Sequence, residues 1–369
     1  MYLSNPALLT DETYVPGLSR ELVAETYGIP VKDVAKLGSA ENPFGPSQKA
    51  VKAVNESLSR MDIYPNWTAE PLREKITEKY GFSSDQVICG AGETEIISWI
   101  VRTFAAPGEG VLMYEPCFPM YHLSAEAEKR RCVYVPMGSE FEFRIDDYIS
   151  AIDDSIRILF LTNPHSPTGK LMPLEDVSRI CRAADQRLVV LDEAYIHFSR
   201  TEGGFGLLKE FNNLVVLRTF SKAFGLAGIR LGFGVGHPDM IRAMLALKPT
   251  WNIGQLQIAG GIAALEDDVH VKRTVDMICE MRDYVFQSLA HLNSFRIVPG
   301  SRSNFFLVEI IDPAQDSTGV FQALLERGVI VKDCSLSFRG LGKRFLRVDV
   351  SLKQHMDRFV DALAELDGS

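Results

Sequence analysis

The sequence predicts an α/β protein, with a mostly parallel sheet covered by helices on both faces and a smaller α+β unit after it. Three observations predict this. Between about residues 86 and 235, short apolar runs alternate with stretches of helical spacing. Those runs are continuously apolar rather than alternating, as strands buried on both faces must be. After Gln257 the texture changes to a long helical pattern followed by further short runs.

In chain order, the strand candidates are QVIC at 86–89, GVLMY at 110–114, RILFLT at 157–162, RLVVL at 187–191, LVVLRT at 214–219 and LGFGVG at 231–236. Between the first two, Ile96, Ile97, Ile100, Val101 and Phe104 recur at helical spacing and predict a helix over 93–104. Beyond Gln257 a helical pattern extends to about Leu292, with a break near residues 266–269. FRIVP at 295–299, NFFLVEI at 304–310, a helix around 318–327, VIVKD at 329–333, FLRVDV at 345–350 and a C-terminal helix follow. At 369 residues the chain suits two units rather than one core. We expect a larger unit over 39–256, a smaller one over 257–369, and a leading segment, 1–38, packed near the smaller unit and the ligand site. A cleft between two such units is a favourable place to bury a small ligand.

Composition narrows the function. Asp and Glu number 48 against 39 Lys and Arg, a formal charge of -9, which argues against a broad nucleic-acid or anionic-membrane surface. The first residues, MYLSNPALLTDETYVPG, have no basic start and apolar core, and no apolar stretch is long enough to span a bilayer. The six cysteines are scattered without a CxxC pair, so neither a metal site nor a disulfide framework is expected, and a cytoplasmic setting is.

The chemistry-bearing residues fall at the ends of the apolar runs: Gly90-Ala91-Gly92-Glu93, Asn163, Asp192, and Ser221-Lys222. In open parallel sheets the carboxyl ends of the strands line the ligand crevice. Lys222 follows an apolar run directly, and a lysine held in such a crevice loses solvation, which lowers its pKa and favours a nucleophilic amine. Arg230 follows eight residues later, past Gly225 and Gly228, and is placed to converge with Thr219 and Ser221 on one phosphate. Ala91, Gly92 and Glu93 precede a helix whose first N–H groups could hold the same anion, although a strand-to-helix turn needs glycine anyway. Asp192 ends a buried run and needs a cationic partner, for which a protonated pyridine nitrogen and a structural ion pair both serve. Tyr195 is either a core residue or a phenol donating to a ligand. Asn163-Pro164-His165-Ser166-Pro167-Thr168-Gly169 must be a rigid turn, and His165 is given no role. Arg347, flanked by apolar strand residues, calls for a substrate carboxylate or a side-chain salt bridge in equal measure.

In this order these residues resemble the class I/II pyridoxal-phosphate-dependent aminotransferases of fold type I, and among them the histidinol-phosphate aminotransferases. The stretches that carry the resemblance are YVPGLS at 14–19, ENPFGPS at 41–47, YPNWTAEPLREKI at 64–76, RTFSKAFGLAGIRLGFG at 218–234 and the ending GVIVKD…FLRVDV. It implies a seven-stranded central sheet and pyridoxal 5'-phosphate as cofactor. It implies Lys222 as the Schiff-base lysine and proton shuttle between Cα and C4′, Asp192 on the pyridine nitrogen, Tyr195 on the 3-oxygen and Phe118 stacked on the ring. It also implies a homodimer in which Tyr64 reaches the neighbouring cofactor, Arg347 on the substrate carboxylate, and Tyr14 near the substrate's distal end. The implied reaction moves an amino group from a small-molecule donor such as histidinol phosphate to a keto-acid acceptor, 2-oxoglutarate. The chain departs from the family pattern at four places: Ala40 and Ser166 stand where asparagine is usual, Lys332 where arginine is, and Trp251 where tyrosine is. With VKDCSLSFRGLGKRFLRV, which is similar to threonine-phosphate decarboxylases, these departures suggest an alternative: a lyase, decarboxylase or cyclase, such as one acting on hydroxyarginine.

Overall fold

The computed structural model describes residues 16–367; Tyr14 lies outside them. Thirteen strands occur among the described residues: β1 Ala35–Lys36, β2 Val87–Gly90, β3 Gly110–Glu115, β4 Arg131–Pro136, β5 Ile156–Thr162, β6 Leu188–Asp192, β7 Leu214–Thr219, β8 Gly232–Gly236, β9 Phe295–Ile297, β10 Phe305–Ile310, β11 Val329–Ile330, β12 Lys332–Asp333 and β13 Phe345–Asp349.

Seven of them form one sheet in the order β2-β8-β7-β6-β5-β3-β4. Only β8 runs against its neighbours; the other pairings are parallel. The strands β3, β5, β6 and β7 each divide their apolar residues between two cores. Leu112, Leu159, Leu161, Val189, Leu191 and Val216 pack on one face, and Val111, Met113, Ile158, Phe160, Val190 and Val215 on the other. Alternate side chains of a strand point to opposite faces, so a sheet covered on both sides demands unbroken apolar runs. The helix Glu93–Phe104 packs on one face through Ile96, Ile97, Ile100 and Val101, as its spacing predicts.

The seventh strand, β4, has no counterpart among the six apolar runs. It is one of the two edge strands and, unlike the buried β2 at the other edge, most of its residues are partly buried or exposed. A strand wet on one side has no reason to be continuously apolar.

The later part of the chain builds a second, four-stranded sheet in the order β12-β13-β10-β9, all antiparallel. The long helical pattern divides into Gln255–Leu265 and Asp268–Ser288, with Asp267 capping the second helix. Leading residues join this sheet's surroundings: β1 pairs in parallel with β11, and the helix Arg20–Tyr27 packs beside them through Val23 and Ala24. Among the described residues no helix is long and apolar enough to cross a membrane, and no cluster of three or more His, Cys, Asp or Glu could hold a metal. All six cysteines are unpaired.

Candidate active site

A cavity of about 460 Å³ opens at the carboxyl ends of β5, β6 and β7, where the chain also brings Ser39, Glu41 and Arg347. The sequence-predicted residues that line it are Glu93, Phe118, Ser166, Asp192 and Tyr195, together with Thr219, Ser221, Lys222, Arg230 and Arg347. The strand ends deliver most of them, since parallel strands finish on one edge of the sheet.

Lys222 lies three residues beyond the end of β7. Its Nζ donates to the carbonyl of Ser39 at 3.1 Å and stands 5.6 Å from the centre of the Tyr195 ring. Burial, reinforced by the nearby Arg347 charge, lowers its pKa from 10.5 to about 8. A cation loses more than a neutral amine when water is removed, so the site favours the free base.

Asp192 ends β6 with only 3% of its surface exposed. Tyr121 donates its hydroxyl to Oδ2 at 2.5 Å, and the Ala194 N–H donates to Oδ1 at 3.0 Å. Beside it Glu93 is also buried, and its Oε1 has no hydrogen-bond partner among the described residues. Burial pushes both carboxyls up, Glu93 well above its usual range and Asp192 less, because hydrogen bonds from Glu93 and Tyr121 favour the Asp192 charge; of the two, Glu93 is the one that favours the proton. A buried carboxylate facing a cavity accepts a ligand cation without further rearrangement.

The opposite end of the cavity is an anion cup. Arg230 reaches Ser221 Oγ at 3.4 Å and the Ala227 carbonyl at 3.1 Å, while Thr219 Oγ1 lies 3.1 Å from Ser221 Oγ. Gly92, at φ +81, ends the turn before the helix Glu93–Phe104, and a Cβ there would overlap the Arg230 guanidinium. The glycine therefore lets the arginine lie against the helix start, where free N–H groups favour an anion. Ser166 Oγ, buried in the same cavity, has no hydrogen-bond partner among the described residues. A phosphorylated pyridine fits these features: anion cup, acid-paired carboxylate and a spare hydroxyl.

Other predicted residues stand apart from the cavity. Asn163 turns its amide to the Met172 backbone, donating at 3.0 Å and accepting at 2.8 Å, so it braces the turn instead of facing the ligand. Ala91 and Gly92 frame the helix start behind Glu93, and the Ala91 N–H donates to Glu95 at 2.6 Å. Lys332 is the register partner of Arg347 across β12 and β13 and is buried with it. Tyr64 is 74% exposed and stacks on Trp251 with ring centres 4.4 Å apart, well outside the cavity lining. His165 is neutral, its pKa lowered to about 3 by burial, and its Nδ1 meets Thr168 Oγ1 at 2.9 Å. Sequence reasoning missed Tyr121, Thr94, Ser39 and Glu41. Tyr121 stands three residues beyond Phe118 and Glu41 opens the stretch ENPFGPS, whereas nothing local marks Ser39 or Thr94.

The profile of the family described as "Aminotransferase class I and II" matches residues 32–363. The histidinol-phosphate aminotransferase of Methanosphaera stadtmanae is 34% identical over 357 residues, covering 96% of this chain and 96% of that protein. Its namesake in Methanothermobacter thermautotrophicus is 35% identical over 357 residues, covering 96% and 95%. Among solved structures, the Sinorhizobium meliloti histidinol-phosphate aminotransferase in complex with pyridoxal-5'-phosphate superposes with a TM-score of 0.88 at 23% identity, over 100% of this chain and 98% of that one. The L-threonine-O-3-phosphate decarboxylase of Porphyromonas gingivalis gives a TM-score of 0.82 at 21% identity, over 91% and 100%.

Proposed function

The chain belongs to the class I and II aminotransferases, and from that premise we propose that it transfers an amino group from histidinol phosphate, or a similar phosphorylated amine, to 2-oxoglutarate. The enzyme is a pyridoxal-phosphate-dependent aminotransferase; the donor and acceptor are the proposal. One observation carries the reading: a half-buried lysine amine of lowered pKa between an acid-paired carboxylate and an arginine-lined anion cup.

Bound pyridoxal phosphate supplies an electron sink for the pair left when Cα loses its proton. In this reading Lys222 attaches the cofactor and, once released, carries the proton between Cα and C4′. Its lowered pKa keeps part of the amine unprotonated near neutrality, as attack and proton removal both require. Asp192, whose charged form Tyr121 and Glu93 favour against burial, pairs the ring nitrogen, and Tyr195 and Ser166 attend the 3-oxygen. Phe118 packs on the ring, while Arg230, Ser221, Thr219 and the N–H groups of Gly92 and Glu93 hold the phosphate, with Ala91 shaping the turn through its N–H to Glu95. Asn163 supports the turn that presents Ser166. Arg347 fixes the substrate carboxylate or its equivalent, and Lys332, Trp251 and Tyr14 complete substrate recognition. Tyr64 serves the neighbouring site of a homodimer in a cytoplasmic enzyme. The division into 1–38, 39–256 and 257–369 belongs to the same reading and is supported by the separation of the seven-stranded sheet from the four-stranded one and by the pairing of β1 with β11.

Relatives at 34% and 35% identity over nearly all of both chains support this donor. A second reading, loss of carbon dioxide from a phosphorylated amino acid, is supported by the adjacency of Lys332 and Arg347, which suits an anion beyond the reacting carbon. Titrating the loaded protein with histidinol phosphate tests the first. A shift in the cofactor absorbance, reversed by 2-oxoglutarate, is expected; an unchanged spectrum would exclude that donor. Carbon dioxide release without any keto acid would favour the second.

A further inference from the structure

The segment Leu37–Ala40 crosses from the four-stranded sheet to the cavity, and two of its carbonyls meet the site's cations. The Ser39 carbonyl accepts from Lys222 Nζ at 3.1 Å, and the Gly38 carbonyl accepts from Arg347 Nη2 at 3.4 Å. Several contacts fix these carbonyls. The Asp349 N–H donates to the Leu37 carbonyl at 2.9 Å, and Asn304 Nδ2 donates to the Ala40 carbonyl at 3.2 Å. The Ala40 N–H donates to Asp349 Oδ2. Ala40 is fully buried at φ +51, a left-handed conformation that alanine holds only when its surroundings impose it.

The other oxygen of Asp349, Oδ1, lies 3.4 Å from Arg347 Nη2. Residues 347 and 349 alternate on β13 and so share a face, and Lys332 pairs across from Arg347 on β12. One carboxylate thus meets the backbone of the segment with one oxygen and the Arg347 guanidinium with the other. We propose that Asp349 is a positioning residue: it locks Leu37–Ala40 so that Ser39 and Gly38 hold Lys222 and Arg347, and its charge offsets those two cations and Lys332.

The proposal rests on the reading of Lys222 and Arg347 given above. Around Lys222 the charged groups are Arg347, which disfavours the ammonium, and Asp349, Glu41, Glu93 and Asp192 in their ionised forms, which favour it. Asp349 acts in the same direction on Lys332, whose pKa burial lowers to about 8. Glu41 is engaged by Lys36 at 2.8 Å, whereas Asp349 meets Arg347 directly at 3.4 Å and reaches the two lysines through its field.

The test uses the full-length protein stripped of cofactor and measures the rate of pyridoxal phosphate capture, by absorbance, across pH. Asp349→Asn keeps an oxygen for the Ala40 N–H and removes the charge, so the midpoint for capture should fall by roughly one pH unit relative to wild type. Asn304→Ala keeps the charge and releases the Ala40 carbonyl, so it should leave that midpoint in place and raise KM for the amino donor several-fold more than it lowers kcat. An unmoved midpoint in Asp349→Asn, or an unmoved KM in Asn304→Ala, would overturn the proposal. Should Asp349→Asn fail to fold, the Asn304→Ala result alone decides it. Failure of the wild type to capture pyridoxal phosphate would instead remove the functional reading beneath it.

Discussion

At the scale of residues, Lys222 shows how burial converts an ordinary side chain into a reagent. An exposed lysine is almost wholly protonated at neutral pH, whereas this one, with its pKa lowered from 10.5 to about 8, exposes a usable fraction of free amine. The charged form is the disfavoured one, so reactivity grows as pH rises. Capture of pyridoxal phosphate by the apoprotein should therefore increase through a midpoint of about 8; a midpoint near 10.5 would mean that the amine is solvated. Lys222→Ala should abolish the cofactor's bound absorbance band and lower turnover by roughly 10²–10⁴-fold or more, the range for loss of a positioned proton carrier. Lys222 and Asp192 were legible in the sequence because each combined a reactive group with the end of an apolar run, and Arg230 because it follows Lys222 past two glycines. Glu93 was legible only as part of a glycine turn. Its role as a proton-bearing partner of Asp192 depends on a contact between β6 and the helix after β2, which no local pattern encodes.

Between elements, the ends of β6 and β7 are held together by a buried ion pair. Glu193, fully buried, accepts from Arg218 Nε at 2.9 Å and Nη2 at 2.8 Å. The Arg218 guanidinium lies over the Phe205 ring at 3.6 Å. Glu193 adjoins Asp192, and Arg218 adjoins Thr219, so the pair fixes the relative height of the two strand ends that carry the site. Glu193→Gln leaves Arg218 buried without its counter-charge, and should cost about 3–5 kcal/mol of stability in urea unfolding. A loss below about 1 kcal/mol would show that the arginine finds solvent instead. Interior strands and the helix Glu93–Phe104 followed from periodicity, because both faces of the sheet are covered. The edge strand β4 did not, because its exposed residues blur the apolar signal that interior strands must show.

For the molecule as a whole, the surface around Tyr64 is the feature a single chain leaves unexplained. Met61, Ile63, Tyr64, Trp67 and Trp251 are all substantially exposed, and Tyr64 stacks on Trp251. Large exposed aromatic groups of this kind mark contact surfaces. In the proposed homodimer, Tyr64 completes the cofactor site of the neighbouring subunit. Mixing Lys222→Ala with Tyr64→Ala protein and allowing subunits to exchange should then restore activity, since each hybrid carries one site free of both defects. No recovery beyond the sum of the two variants would place Tyr64 at its own chain's site or at none.

By itself the sequence determined which runs become buried strands, where the reactive residues fall along them, and that a lysine, an aspartate and an arginine would share a crevice. These are local facts, set by side-chain periodicity and by the rule that parallel strands finish on a common edge. Only the tertiary structure decided which groups touch. It placed Arg347 and Asp349 from a separate sheet beside Lys222, turned Asn163 away from the cavity, and gave Ala40 its left-handed bend. Desolvation and charge pairing depend on distances in space between residues far apart in the chain, and it is these that set the lysine's basicity.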